Sequence, residues 1–336
     1  MVVPIDWKYK SAIVECDWLK ENIDNPLVRI YDCSTYLHYT DDHPSKPYDV
    51  VSGLTEYKKE HIPQSAYLDL QNDLSDKDSP YSFTLPKLSH LAHCLKQRGI
   101  GDPHHIILYS RNGLQWATRI WWMIFVLGYK KVSILNGGFA EWKRLGMPTE
   151  QALTCFPAAD FKSDEKPEIF VGREHVLSSI DDGQSVLINA LTADIHRGQN
   201  KRYGRPGHIT SSLNIPFHSL VDPDSGKLVS PESALKIFED QNWILNDYLA
   251  IVGCSIPSYT IKRNCNIKTS FVEDMNKQLI PFKDISFNFL NSYTEILNEC
   301  QNNIYSYCFY EDYYNNVNLD LLKDIPNCFN LANTCV

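Results

Sequence analysis

The sequence predicts an α/β protein of two tandem domains. Each is a mainly parallel sheet flanked by helices, and the second domain is incomplete. Three observations carry this reading. Short apolar runs alternate with helix-patterned segments, the rhythm of a parallel sheet covered on both faces. The rhythm runs twice: His61-Ile62 recurs as His208-Ile209, Tyr109-Ser110 as Gly253-Cys254, and Asp32 as Asn189, with a drift that loop insertions would produce. After about residue 263 the second copy shows no counterpart of the tryptophan-rich helix, the strand 132–135 or the run Gly137-Gly138-Phe139-Ala140-Glu141-Trp142.

In order, residues 11–24 read as an amphipathic helix carrying Trp18 and Leu19, and 28–33 as a strand with an acidic residue, Asp32, near its end. Residues 56–63 read as a helix end and turn, 66–70 as a strand, and 71–81 as a polar loop. A helix over 88–98 stops at Gly99 and Gly101. The strand 105–109, the helix 113–128 with the core tryptophans Trp121 and Trp122, the strand 132–135 and a short helix to Leu145 complete the first copy. The domain spans 11–150, and Pro157 and Pro167 mark a linker over 151–168. The second domain, 169–263, restarts with a helix at 174–180, a strand at 185–190, a turn near His208 and an extended piece over 213–217. A helix over 231–242 and a strand over 248–252 then lead to Cys254. Residues 264–336 form a divergent tail rich in Asn, Tyr and Cys, read as a segment of different origin.

Bulk properties exclude several classes. The chain has 336 residues, 43% hydrophobic and 22% charged, with a formal net charge of −9. That acidity argues against a general nucleic-acid or anionic-membrane binder. No apolar run reaches the ~18 residues of a membrane span, and the start lacks the pattern of a signal or transit peptide. Cytoplasm is the expected compartment, with mitochondria the alternative. None of the ten cysteines forms a C-x-x-C pair, so neither a zinc ribbon nor a dithiol redox site is expected. Cys33, inside an apolar stretch, reads as core.

Cys254 is the working group. It follows a buried apolar run, Leu249-Ala250-Ile251-Val252, and so falls where α/β folds place ligands and chemistry. A thiolate there, backed by loop N–H groups that can face an anion, has the make-up of a nucleophile. An anionic partner needs cations. His196, Arg197, Lys201, Arg202, Arg205 and His208 form a basic stretch with no acid inside it.

The chain resembles the two-domain rhodanese-type sulfurtransferases, the thiosulfate and 3-mercaptopyruvate sulfurtransferases. The resemblance runs from about residue 11 to 260. It is carried by Glu60-His61-Ile62-Pro63 with Asp69-Leu70, Arg119-Ile120-Trp121-Trp122-Met123, Leu135-Asn136-Gly137-Gly138-Phe139-Ala140-Glu141-Trp142, Arg202-Tyr203-Gly204-Arg205-Pro206-Gly207-His208-Ile209 and Asn214-Ile215-Pro216-Phe217. It implies two rhodanese-like domains, the first non-catalytic. It also implies a persulfide on Cys254, a small anionic sulfur donor and a thiol or cyanide acceptor, with no cofactor and no metal. Arg202 and Arg205 match the family's donor-binding form; Arg197 and Ser255 are grouped with them.

The sequence also departs from the family. Ser255-Ile256-Pro257-Ser258-Tyr259-Thr260 replaces a glycine-rich loop, Asn189 replaces an acid, and Leu191 stands where the family often has arginine. Pro257 removes one N–H. The alternative is therefore a catalytically impaired rhodanese-fold binding or regulatory protein. A phosphatase of this fold would need arginine six residues after the cysteine, where Thr260 stands.

Overall fold

The computed structural model describes residues 7, 9–40, 48–180, 185–200, 206–241 and 259–262, the last as backbone only. Contacts divide the chain into two units, Met1–Ile261 and Lys262–Val336, and all described residues except Lys262 belong to the first.

The first domain runs β1 (Ile13–Val14), α1 (Cys16–Asn22), β2 (Val28–Asp32), β3 (Thr35–Tyr39), β4 (Tyr48–Ser52), α2 (Leu54–Lys59), β5 (Ser65–Tyr67), α3 (Leu70–Leu74), α4 (Leu88–Gln97), β6 (His105–Tyr109), α5 (Gln115–Phe125), β7 (Val132–Leu135) and α6 (Gly138–Arg144). Its sheet has the order β1-β7-β6-β2-β5, and the pairs β1–β7, β7–β6, β6–β2 and β2–β5 are parallel. The two faces follow from the alternation of a strand. Ile106 and Leu108 join the core beneath α4 and α5, while Ile107 and Tyr109 join Leu19, Phe139 and Trp142 on the other side. Both faces are apolar, so the strands read as continuous apolar runs. Trp121 is buried and its indole N–H donates to the Val132 carbonyl at 3.0 Å, while Trp122 packs at the core's margin.

The structure differs from the sequence expectation in several places. The helix expected over 11–24 is shorter, because residues 10–14 form a 3-10 turn and then β1, which pairs with β7. The antiparallel hairpin β3–β4 was not anticipated. Part of the expected 71–81 loop is α3, capped by Asp69, whose carboxylate accepts the Asn72 N–H at 2.9 Å. Finally, Tyr259–Lys262, expected as the end of a loop, is a strand; its aromatic and β-branched residues suit that state.

The segment after residue 150 is laid back on the first domain. Ala159 N–H donates to the Lys96 carbonyl at 3.1 Å, Asp164 N–H to Leu127 at 2.8 Å and Lys166 N–H to Val126 at 2.7 Å. Beyond it come α7 (Arg173–Ser178), β8 (Ser185–Asn189), α8 (Ala193–His196), β9 (Leu213–Asn214), α9 (Pro231–Glu239) and β10 (Tyr259–Lys262). Here the sheet order is β10-β8-β9, with β8 and β9 parallel. Ile188, Ile215, Leu220, Ala234 and Phe238 form a smaller core. Ser230 caps α9 by accepting the Ser233 N–H at 3.2 Å, with Pro231 in the first turn.

The two halves meet at the β7–α6 turn. The Asn136 side chain accepts the Leu228 N–H at 2.9 Å and donates to Glu15 at 2.7 Å. Lys227 reaches Glu15 at 2.8 Å and Glu141 at 3.4 Å.

Candidate active site

The C-terminal ends of the parallel strands are where this kind of sheet places chemistry. In the first domain that end is filled by the chain itself. Ser110, directly after β6, is buried, and its hydroxyl donates to the Gly113 carbonyl. Arg111 turns inward. Its backbone N–H donates to Ser34 Oγ at 3.0 Å, its Nε to Asp32 at 3.1 Å and its Nη2 to the Glu60 carbonyl. The guanidinium lies over the Phe139 ring at 4.0 Å. Asn112 donates to the Thr35 carbonyl at 2.9 Å. Asp32 is fully buried. Desolvation pushes its carboxyl above the usual range, opposed by hydrogen bonds from Ser34 and by the charge of Arg111.

The second domain repeats the local geometry with different chemistry. Asn189, at the end of β8, accepts the Leu191 N–H at 2.9 Å, as Asp32 accepts the Ser34 N–H at 2.9 Å. The amide holds this turn without a buried charge, so no cation is required beside it. Asn214 donates to the Asn189 carbonyl at 3.0 Å and the Leu191 carbonyl at 2.8 Å, tying β9 to the start of α8. Leu191 and Ile195 are buried, so neither presents a polar group.

At the end of α8 two imidazoles stack. His196 and His208 lie with ring centroids 3.7 Å apart and planes 14° from parallel. His208 Nδ1 donates to the His196 carbonyl at 2.6 Å. Burial holds the His196 imidazole below the usual histidine range, and His208 and Arg197 add to the shift. Among the described residues no group hydrogen-bonds His196 Nδ1, which is buried.

Of the residues predicted for the site, Arg197 is described. It follows α8, exposed, with its N–H donating to the Ala193 carbonyl at 2.9 Å. Cys254, Ser255, Arg202 and Arg205, and the strand expected over 248–252, lie outside the described residues. Sequence reading placed His196 and His208 in the basic stretch but did not pair them, because they stand far apart in the chain. Of the other cysteines described, Cys16 is buried and its thiol pushed up to about 12, chiefly by desolvation, and burial likewise raises Cys33, whereas Cys94 is half-buried and Cys155 exposed. Among the described residues no group of three or more His, Cys, Asp or Glu can hold a metal ion, and no helix is long and apolar enough to cross a membrane.

A rhodanese-like domain model matches residues 15–145. The 3-mercaptopyruvate sulfurtransferase of Escherichia coli strain K12 is 31% identical over 244 residues, covering 72% of this chain and 83% of that one. The chain belongs to the rhodanese-type sulfurtransferase family. A thiosulfate sulfurtransferase of Rattus norvegicus is 29% identical over 240 residues, covering 68% of this chain and 77% of that one. The crystal structure of SseA from Escherichia coli, a 3-mercaptopyruvate sulfotransferase, superposes with a TM-score of 0.57 at 28% identity, covering 72% of this chain and 91% of that chain. Sulfurtransferase relatives imply sulfur donors and acceptors as the class of ligand, and the rhodanese fold is the α/β architecture described above.

Proposed function

We propose that this sulfurtransferase moves a sulfane sulfur from thiosulfate or 3-mercaptopyruvate to a thiophilic acceptor through a persulfide on Cys254. The observation that carries the reading is the family match over most of the chain, together with a cysteine at the post-strand position of the second copy where the first has Ser110. The first domain is then structural: its post-strand loop is occupied by Arg111 and holds no thiol. In the second domain the Cys254 thiolate attacks the outer sulfur of thiosulfate, the S–S bond of the donor breaks, and sulfite leaves with the electron pair. With 3-mercaptopyruvate the C–S bond breaks, the electron pair passes to the enolate, and the enolate takes a proton to give pyruvate. An acceptor such as cyanide or a thiol then attacks the outer persulfide sulfur and releases the Cys254 thiolate. Arg197, Arg202 and Arg205, with Ser255, bind the donor anion.

Intact mass after incubation with each donor tests this. A gain of one sulfur on the wild type, absent in Cys254→Ser and removed by cyanide, is expected. No gain with either donor on folded protein overturns the proposal and leaves the reading of a rhodanese-fold binding protein.

A further inference from the structure

The outer flank of α4 carries two side chains that the fold and the sulfur chemistry leave unused. Leu91 and Leu95 are fully buried and anchor the helix on the core. His90 is exposed and Cys94 half-buried; four residues apart, they are neighbours on one face of the helix. The contact is made: Cys94 Sγ lies 3.5 Å from His90 Nε2.

A thiol sulfur and an imidazole nitrogen are both ligands of zinc-like ions. Their separation is the one that a shared ion would impose. Bonds of about 2.3 Å to sulfur and about 2.05 Å to nitrogen, meeting at a tetrahedral angle, put the donor atoms about 3.6 Å apart. A linear two-coordinate ion with the same bonds would need about 4.3 Å. No third His, Cys, Asp or Glu among the described residues joins the pair in a metal-holding group, which leaves two positions of a tetrahedron to water. Asp73 stands nearby on α3, but its carboxylate accepts from Arg98 Nη2 and from the Asp69 N–H at 3.1 Å. The empty thiol is held above the ordinary cysteine range, first by desolvation and then by Asp73, with Arg98 and Lys77 opposing. Metal uptake therefore exchanges the S–H proton for a sulfur–metal bond, and the proton leaves to solvent.

We propose that His90 and Cys94 together bind a tetrahedral thiophilic cation of the zinc and cadmium class on the outer flank of α4. The donor atoms already stand at the required separation on a helix that the core holds in place, so the ion is taken up without rearrangement of the backbone. With two protein ligands the affinity falls below that of closed four-ligand sites. The site does not depend on the sulfurtransferase reading above. In the metal-bound chain the Cys94 sulfur is engaged and no longer reacts as a free nucleophile.

The test is alkylation of Cys94 by iodoacetamide in the full reduced chain, read by mass on the tryptic peptide 88–96, which keeps the other cysteines out of the readout. Zn²⁺ and Cd²⁺ are each titrated against wild type, His90→Ala, and a variant combining His90→Ala with Ser89→His. Both metals should slow alkylation in wild type about tenfold or more, and Mg²⁺ should not slow it. His90→Ala keeps the thiol but loses the chelate, so the metal concentration for half protection should rise about tenfold or more. Ser89→His returns an imidazole one position away, off the face that Cys94 shares, and should leave the weak affinity of His90→Ala. Positions 89 and 90 are both exposed, so the core is untouched. Absence of protection by either metal overturns the site. Equal protection in wild type and His90→Ala overturns the role of the imidazole and reduces the site to a thiol alone. Restoration by Ser89→His overturns the geometric argument. Protection by Mg²⁺ equal to that by Zn²⁺ overturns the assignment of metal class. If His90→Ala does not fold, His90→Gln takes its place with the same expected loss.

Discussion

Arg111→Ala tests whether the first domain's post-strand loop is held by its own arginine. The substitution removes the Nε bond to Asp32 at 3.1 Å, the bond to the Glu60 carbonyl and the cap on Phe139, while Asp32 stays fully buried. Breaking a buried pair by removing one partner costs about 3–5 kcal/mol. A domain of ordinary stability has about 5–15 kcal/mol in total. Asp32 keeps its bonds from Ser34, so the lower half of that range is expected at pH 8, measured by urea unfolding with the fluorescence of buried Trp116 and Trp142. The loss should shrink on acidification. Desolvation already raises the folded-state carboxyl, and losing the arginine raises it further, so the variant is penalised as pH climbs above the unfolded value near ~3.9. Asp32→Asn combined with Arg111→Ala should recover about 2 kcal/mol relative to Arg111→Ala alone, because Asn189 shows that an amide can hold this turn. A loss below about 1 kcal/mol for Arg111→Ala, or a double variant whose loss is the sum of the singles, refutes the reasoning.

Gly138→Ala should destabilise the first domain by at least about 2 kcal/mol, since its φ is +58° and a Cβ would stand 2.4 Å from the Ser110 carbonyl oxygen; Gly146→Ala, at φ +66° in open space, should cost only the backbone strain, about 1 kcal/mol, when the two are compared by thermal unfolding. Glu141 is held below the usual carboxylate range, first by hydrogen bonds from Arg144 and also by Lys227. Its contribution is therefore complete above the unfolded value near ~4.3 and is lost as pH falls through the lower folded value. Glu141→Gln should flatten that acid limb in a pH series of melting temperatures, and an unchanged limb would remove Glu141 from the account.

The parts of the fold that were legible in the sequence are the ones whose own pattern decides them. The strands β6 and β7 are uninterrupted apolar runs bounded by turn residues, and α5 is too long and apolar to be anything but a buried helix. The hairpin β3–β4 was hidden because its register depends on pairing across 41–47, a stretch with charges and Pro44 and Pro47. The short α3 carried one usable signal, the capping Asp69, but too few residues for a period to show. At the candidate site, the equivalence of Asp32 and Asn189 was visible and the structure gives both the same turn. The stack of His196 on His208 was not visible, because contact between residues twelve apart depends on how the chain returns. The match of Tyr57 to His196, one helical turn after the caps Gly53 and Thr192, was the available clue.

The segment that joins the domains has a consequence for their association. Its backbone is bonded to the first domain as far as Lys166, Ile169 and Phe170 pack on the first domain's core with the Arg119 guanidinium over the Phe170 ring, and α7 begins at Arg173, so only two residues of tether precede the second domain. Fully extended, the three steps from Phe170 to Arg173 reach about 10 Å. A partner leashed so closely meets its own interface at an effective concentration on the millimolar scale. Contacts as modest as Lys227 with Glu15 and the Leu228 N–H with Asn136 can then keep the halves together, although free domains would need a far larger buried surface. Cutting the chain between Lys166 and Arg173 would turn an intramolecular encounter into a bimolecular one, and dilution alone would separate the pieces.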